Sequence, residues 1–509
     1  MAFVVILILT AMVLWCATRL PGRLGSVSGP HQATLALALP LLGTFGLHYA
    51  IFAVGVVLLL ALAPAISRAG LVLPAANAME LRSRLYLLCL PLMPLMFYTI
   101  AIGGLTFAQI NYVHLLGIGY LLAMAMAGER LIDARLQGWD LVFALMMIVQ
   151  AFMDCRGNDL TYSVRACNQV VLNLGLPYLA VSRAFVRAKS PNDLMLSVIL
   201  GGCILALIAT FEAPRHWLLY DTMPQSIGAD PELSSGYVKQ RGGLLRARAS
   251  FPESTGLSLL LGMQVVLLVA LRRHLNSALA FWTAMALLAS GVFFTLARIG
   301  YIVVVAGLIA CMVQERRWSG LFAMLLALPL VGGMLLVASR FIPTLAASIG
   351  TGEDAAGSVD YRSELLHSGL ALAREHWATG LGMDDIYARL EHLRQGEGII
   401  DLVDQPLTIL MRGGVFGTGL YYAMLLGALG FLFVRGRRLG SEANASATAC
   451  FAGLVGLMAA LVTTSYGRNE TTYVMLLAAA AGLVGRVTAR AAIPISQPNL
   501  VRQPATIMK

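Results

Sequence analysis

Leu194-Met-Leu-Ser-Val-Ile-Leu-Gly-Gly-Cys-Ile-Leu-Ala-Leu-Ile-Ala-Thr-Phe211 is an unbroken apolar run that ends abruptly at Glu212 and Arg215. A helix crossing a bilayer needs roughly 17–25 mostly apolar residues, and this run meets that length without a charge. Similar blocks occupy residues 85–105, 277–296, 320–338, 413–434 and 447–466, and residues 33–66 are long enough for two spans. Backbone groups in hydrocarbon must be satisfied within the segment, so blocks of this length are helices. No ten-residue alternation of the transmembrane β-barrel kind is present. Charged residues are 12% of the 509-residue chain and mean hydropathy is +0.78, which fits a polytopic membrane protein. The length rule gives about 14–15 transmembrane helices.

Two polar stretches interrupt this pattern, residues 212–251 and 340–404. A chain this apolar exposes long charged segments where they have work to do. The net charge of +10 has the size of a nucleic-acid signal, but its placement argues for topology instead. Arg68, Arg82 and Arg84 share one short loop, Arg130 and Arg135 another, and Arg183, Arg187 and Lys189 a third. Arg272 with Arg273, Arg316 with Arg317, and Arg435, Arg437 and Arg438 continue the series. The positive-inside rule sets all of these on the cytoplasmic side and both long stretches outside, sharing one site. The first apolar run has no basic residue before it, whereas Arg19 and Arg23 follow, so it reads as a retained helix and not a signal peptide.

The expected organisation is N-terminal transmembrane helices over 1–211, a first outer loop over 212–253 and central helices over 254–339. A second outer loop over 340–404 contains two amphipathic helices. C-terminal helices over 405–488 and an unstructured cytoplasmic tail over 489–509 complete the chain. One loop helix is expected from Asp360, with Leu366, Leu370, Ala373 and Trp377 on one face. The other starts near Asp384 and groups Ile386, Leu390 and Leu393. No internal repeat is visible. Among the cysteines, Cys16, Cys89, Cys203, Cys311 and Cys450 sit in apolar blocks as packing residues, and Cys155 and Cys167 flank a short outer loop where an oxidising compartment would allow a disulfide. No metal-ligand spacing is present.

Cationic residues on the outer face oppose the topology rule. Arg246 and Arg248 precede a membrane entry, Arg298 stands at a helix end, and Arg362 opens the first loop helix. Guanidinium groups bind phosphate in a bidentate way and keep their charge, so the set suits a lipid-linked phosphate or diphosphate. The plainer reading is that interfacial arginines anchor helices to head groups. Asp401 and Asp404 stand at the exit of the second loop. Asp404 reads either as a general base or as the cap of a helix whose first position is Pro406. Glu253 has the same ambiguity at the start of the helix after Phe251-Pro252, where Pro252 suits a first turn and Ser254 or Thr255 can cap.

Arg246-Ala-Arg248-Ala-Ser-Phe251-Pro252-Glu253, Thr295-Leu-Ala-Arg298, Tyr361-Arg362-Ser-Glu-Leu365, the Glu375 to Gly382 stretch and the Leu407 to Gly417 helix entry occur in this order. Together they resemble the O-antigen ligase and polymerase superfamily over roughly Arg246 to Gly417, the ordered set carrying the likeness. The resemblance implies a GT-C-like all-α polytopic fold with two long periplasmic loops, in a bacterial inner membrane. It implies an undecaprenyl-diphosphate-linked glycan as donor, with no cofactor, no metal and no nucleic acid. Arg246, Arg248, Arg298 and Arg362 would hold the diphosphate, and Asp404, Asp401 or Glu253 would act as base. A flippase and a chain-length regulator are the implied protein partners. Where the family's ligases carry His-Asn, this chain has Val403-Asp404, and Glu253 replaces an Asn. That departure favours a repeat-unit polymerase of O-antigen or exopolysaccharide type over a ligase moving finished glycan. A transporter or flippase of lipid-linked glycans is the remaining alternative, and the sequence lacks the repeated halves such proteins show.

Overall fold

A computed structural model describes residues 5–6, 8–13, 78–93, 98–102, 105–221, 239–241, 243–275, 277–349, 354–394, 400–436, 441–465 and 470–491. Most of Arg19's surroundings, the 33–66 block, Cys16, Arg68 and the tail beyond 491 lie outside the described residues. The chain is a helical bundle. Among the described residues, six helices are long and apolar enough to cross a membrane, and four shorter apolar ones pack with them. In chain order the elements before the first long loop are α1 (Ala78–Cys89), β1 (Tyr98–Ile102), β2 (Leu105–Ile110), α2 (Tyr112–Met126), α3 (Gln137–Cys155), α4 (Leu160–Val170), α5 (Leu176–Arg187) and α6 (Pro191–Arg215). A short hairpin of β3 (Gln240–Arg241) and β4 (Leu244–Leu245) leads to α7 (Ser254–Ala270), α8 (Ala278–Phe294), α9 (Ile299–Gln314) and α10 (Trp318–Ser339). Then come α11 (Pro343–Ile349), α12 (Asp354–Glu375), α13 (Met383–Arg389), α14 (Gln405–Arg435), α15 (Ser441–Leu461) and α16 (Glu470–Ala491).

The expected span at 85–105 is corrected. Helix α1 stops at Cys89, a 3-10 turn carries Pro91, and the chain then pairs as the antiparallel hairpin β1–β2. Pro91 removes a helical donor, and Tyr98-Thr-Ile has the β-branched and aromatic character of a strand. The α6 span, by contrast, is a helix on the residues expected. Its mean hydropathy of 2.5 equals that of α10, yet 83% of the α6 window is buried and none of the α10 window is. Composition therefore marks both as spans, and only packing separates a core helix from one facing lipid. In the core, Gln264 of α7 fills the space above Gly202 of α6 and donates to Val198 O at 3.0 Å. A methyl group at 202 would stand 1.3 Å from the Gln264 Oε1, so the small residue is what admits this interhelical bond.

The described basic clusters converge on one end of the bundle. Arg84 pairs with Asp193 at 2.8 Å, and His274 reaches the same carboxylate at 3.3 Å. Asn192 joins His274 to Ser446, while Gln314 donates to Leu432 O at 2.9 Å. Helix α6 starts at this end, and Pro191 and Glu212 lie roughly 32 Å apart along it at about 1.5 Å per residue. Both long loops gather at the opposite end. There α11 of the second loop packs on β3 of the first, and Tyr301 Oη and Ser348 Oγ stand 2.9 Å apart.

The second loop builds a small core of its own. Leu365, Leu372, Leu381, Ile386, Leu390 and Leu393 bury together against Leu407 and Met411 of α14. Burying a side chain of this kind contributes about 1.5–3 kcal/mol, which holds the loop down without covalent ties. Ile386, Leu390 and Leu393 group as expected. Helix α12 begins at Asp354 instead of Asp360, and its buried face is corrected. Of the expected face Ala373 is buried, but Leu366, Leu370 and Trp377 are exposed, while Leu365, Gly369 and Leu372 face α14. Gly369 decides the rotation, because its bare Cα lets Leu407 come within van der Waals distance. Cys155 and Cys167 are free thiols with sulfurs 3.5 Å apart.

Candidate functional site

The first-loop hairpin runs along the carbonyl end of α8. Ala247 N–H donates to Phe294 O at 3.2 Å, Arg241 to Leu296 O at 2.9 Å, and Arg246 Nε reaches Thr295 O at 3.5 Å. The last carbonyls of a helix lack internal partners and carry partial negative charge, which draws these donors. The turn that follows, Thr295 to Arg298, is pinned from both sides. Thr295 Oγ1 donates to Val292 O and accepts from Ala297 N–H, and Ser258 of α7 accepts from Gly300 N–H and donates to Ala297 O. Arg298 is thus presented from a fixed backbone at the start of α9. Its half-buried guanidinium makes no hydrogen bond or ion pair among the described residues, and its Nε is buried. Arg241, Arg298 and Glu253 each lie within electrostatic reach of Arg246. Burial first, and then the guanidiniums of Arg241 and Arg298, push Arg246 down to about 10, with Glu253 opposing. Arg246 remains a cation at neutral pH, and Glu253 opposite it is exposed.

Behind this wall sits Glu212, fully buried at the end of α6. Its Oε1 accepts from Leu219 N–H at 2.9 Å, and its Oε2 accepts from Arg248 N–H at 3.2 Å and Ala249 N–H at 2.9 Å. Ala249 has φ +45°, a left-handed conformation that costs a non-glycine residue roughly 1–2 kcal/mol, and Glu212 holds it there. Arg248 turns inward, ion-paired with Asp221 and donating to Pro252 O at 2.7 Å. Replacing Glu212 with leucine leaves these buried N–H groups without an acceptor, at roughly 1–3 kcal/mol each. A drop in the thermal midpoint of the purified protein, without change in oligomeric state, is the expected reading. An unchanged midpoint would remove Glu212 as the organiser of the turn.

The start of α7 corrects one expectation. Pro252 lies before the helix, Glu253 is its N-cap residue without a capping hydrogen bond, and neither Ser254 nor Thr255 caps. Thr255 Oγ1 instead donates to Glu253 at 3.1 Å.

The carboxylates of the second loop form a separate group. Asp404 caps α14, accepting from Leu407 N–H at 3.0 Å through Oδ1. Its other oxygen has no partner among the described residues, and burial raises its pKa, partly opposed by the Leu407 N–H. Tyr361 clamps the backbone of Asp401, donating to its carbonyl at 3.0 Å and accepting from its N–H at 2.9 Å. Nearby Arg412 pairs with Asp154 at 2.5 Å, and Glu470 at the start of α16 is within electrostatic reach of both. Helix α14 is broken at Gly414, whose φ of +60° and ψ of −167° lie outside helical space. The break brings Asp404 within electrostatic reach of Tyr422. Along a straight helix the two would stand roughly 27 Å apart at about 1.5 Å per residue. The Tyr422 hydroxyl is buried without a hydrogen-bond partner among the described residues.

A small cavity lies between Ser250-Phe251 of the first loop and Thr471-Thr472 of α16. Of the residues expected at a site, Arg246, Arg298 and Glu253 are brought together. Arg248 is their neighbour but faces inward to Asp221. Asp401 and Asp404 stand in the second group, and Arg362 is exposed on α12 beside the Tyr361 clamp. Sequence reasoning missed Arg241, Glu212, Asp154, Arg412, Glu470 and Tyr422. A charge at the end of an apolar run was a usable signal for Glu212. The others carry no local signal, since their partners are far away in the chain.

Fold and site together define a multi-pass α-helical membrane protein that collects arginines and carboxylates at one end of its bundle. Residues 283–422 match the family model described as O-Antigen ligase. The match supports the O-antigen ligase and polymerase superfamily, and with it a glycosyltransferase-like ligase or polymerase function in general. It takes in Arg298, Arg362, Asp401 and Asp404, whereas Arg246, Arg248 and Glu253 precede it. No curated protein gives a match to the chain.

Proposed function

We propose that the protein polymerises undecaprenyl-diphosphate-linked oligosaccharide repeat units at the periplasmic face of the inner membrane. The observation that carries this reading is Arg298, a half-buried guanidinium with no hydrogen bond or ion pair among the described residues, within electrostatic reach of Arg246. In the reaction, Asp404 takes the proton of an acceptor sugar hydroxyl. That oxygen bonds to the anomeric carbon of the donor, the bond from this carbon to the diphosphate oxygen breaks, and lipid diphosphate departs with the electron pair. The arginines stabilise the charge that develops on it. Preorganised donors of this kind contribute roughly 3–4 kcal/mol each. Arg248 and its Asp221 partner hold the turn that presents Arg246, and Arg362 stands where the second loop meets the glycan. Asp401, Glu253 and Tyr422 are the groups within the same end that orient the acceptor. A flippase delivering repeat units and a chain-length regulator are the partners this role calls for.

The test is glycan length in membranes supplied with lipid-diphosphate repeat units. Wild-type protein is expected to give a ladder of lengthened lipid-linked chains. Arg246→Ala and Arg298→Ala are each expected to slow extension by about a hundredfold or more. Repeat units that move unextended to another acceptor would make the protein a ligase. Repeat units that only cross the bilayer would overturn the enzyme reading.

A further inference from the structure

At the end of the bundle opposite the arginine wall, α1, α2, α5 and α16 enclose a cavity of about 540 Å³. Sites for small molecules span roughly 300–1,000 Å³, so this one is larger than a bare ion requires. Arg135, Arg183, Arg187, Lys189 and Arg486 line it, against the carboxylates of Glu80 and Glu129. Two of these cations are already answered. Arg183 is held by both oxygens of Asp140 at 2.9 and 2.7 Å, and Arg135 by both oxygens of Asp133 at 2.9 and 2.6 Å.

The carboxylate contacts of Arg187 and Lys189 are weaker. Arg187 donates through Nη2 to Arg130 O, and only its carboxylate contacts are long, 3.5 Å to Glu129 and 3.9 Å to Asp133 against the roughly 2.7–2.9 Å of a strong charge-assisted bond. Its Nη1 is buried and has no hydrogen-bond partner among the described residues. Lys189 is exposed at the rim and makes no ion pair among the described residues. Arg486 is anchored to the carbonyl oxygens of Phe185 and Ala188, which aims α16 at the same space. Ser83 and Tyr120 join their hydroxyls at 2.8 Å on the cavity lining, and Met79, Ala184 and Val186 give it apolar wall.

We infer that this cavity binds a phosphate-bearing ligand through Arg187, Lys189 and Arg486. Cationic donors arriving from two elements suit a tetrahedral phosphate, which can be approached from several directions, better than a planar carboxylate. The apolar wall and the volume leave room for the glycerol part of a phosphate diester. A basic pocket between helices at the edge of a membrane is where an anionic phospholipid head group is met. The site is distinct from the proposed diphosphate site, because the length of α6 separates the two ends.

The test is thermal stability and native mass spectrometry of the purified full chain. It would be titrated with short-chain phosphatidylglycerol, with phosphatidylcholine of the same chain length, and with glycerol 3-phosphate. Phosphatidylglycerol is expected to bind at least tenfold more tightly than phosphatidylcholine, and Lys189→Gln, an exposed substitution that leaves packing intact, is expected to weaken it severalfold. Arg187→Gln is expected to weaken it further where that variant folds. Glycerol 3-phosphate binding as tightly as the lipid would assign the site to a soluble phosphate ester. Equal binding of the two lipids, or phosphatidylglycerol binding untouched by Lys189→Gln, would overturn the inference.

Discussion

Gly414→Ala is expected to abolish glycan transfer while the bundle remains helical and monodisperse. The φ of +60° and ψ of −167° at Gly414 belong to a region that is essentially closed to residues with a side chain, at roughly 1–3 kcal/mol. A Cβ there would also stand 2.3 Å from Ala378 O and 2.6 Å from Thr379 N. Neither atom can retreat, because the same loop is tied to α14 by Val415 N–H on Trp377 O and by Leu381 N–H on Met411 O, both at 2.7 Å. Gly380, with φ +65°, faces the same seam, and a Cβ on it would come within 2.6 Å of Met411 O and Arg412 O. The two glycines let two backbones interlock. Losing the break moves Asp404 away from Tyr422 and Arg412 away from Asp154. Circular dichroism and elution profile report the bundle, and chain extension reports the site. Full extension by Gly414→Ala would show that the reaction does not need the bend. Gly380→Ala is expected to act in the same direction.

Asp404→Asn separates the two roles of that residue. Asparagine caps a helix about as well as aspartate, so the thermal midpoint is expected to change little. An amide cannot take a proton, and loss of a general base lowers the rate by about 10²–10⁴-fold. Alanine at the same position loses the cap as well, at about 1 kcal/mol. The pH profile supplies an independent reading. Burial raises the Asp404 pKa, so extension is expected to fall on acidification through a value above the ordinary aspartate range. The contribution of the same group to stability runs the other way. A carboxyl whose folded pKa is raised is best tolerated when protonated, so its stability contribution is full below the unfolded pKa and is lost as pH rises through the folded one. Rate and stability therefore diverge on acidification if Asp404 is the base. An Asp404→Asn protein that extends chains at the wild-type rate would reduce Asp404 to a cap and pass the role to Asp401 or Glu253.

Several parts of this molecule are legible residue by residue. The apolar block at 194–211, the cap at Asp404 with Pro406 behind it, and the grouping of Ile386, Leu390 and Leu393 all follow from local rules of length, capping and period. The 85–105 block misleads because hydropathy is blind to Pro91, which interrupts the helix its composition suggests. The face of α12 misleads for a different reason. Leu366, Leu370 and Trp377 share a helical stripe as good as that of Leu365 and Leu372, and only the close approach of Leu407 over Gly369 selects between them.

The sequence by itself determined that this chain is a polytopic helical membrane protein and that its basic clusters share one end. These depend on composition, period and short-range order, which each residue carries locally. Tertiary structure alone decided that Glu212 organises the arginine turn, that Arg248 faces inward to Asp221, and that Asp154, Arg412 and Glu470 meet. It also decided that Gly380 and Gly414 interlock to fold Asp404 back toward Tyr422. Each of these joins residues distant in the chain. Whether a charge is answered, or a bare Cα is required, depends on what the rest of the fold brings against it.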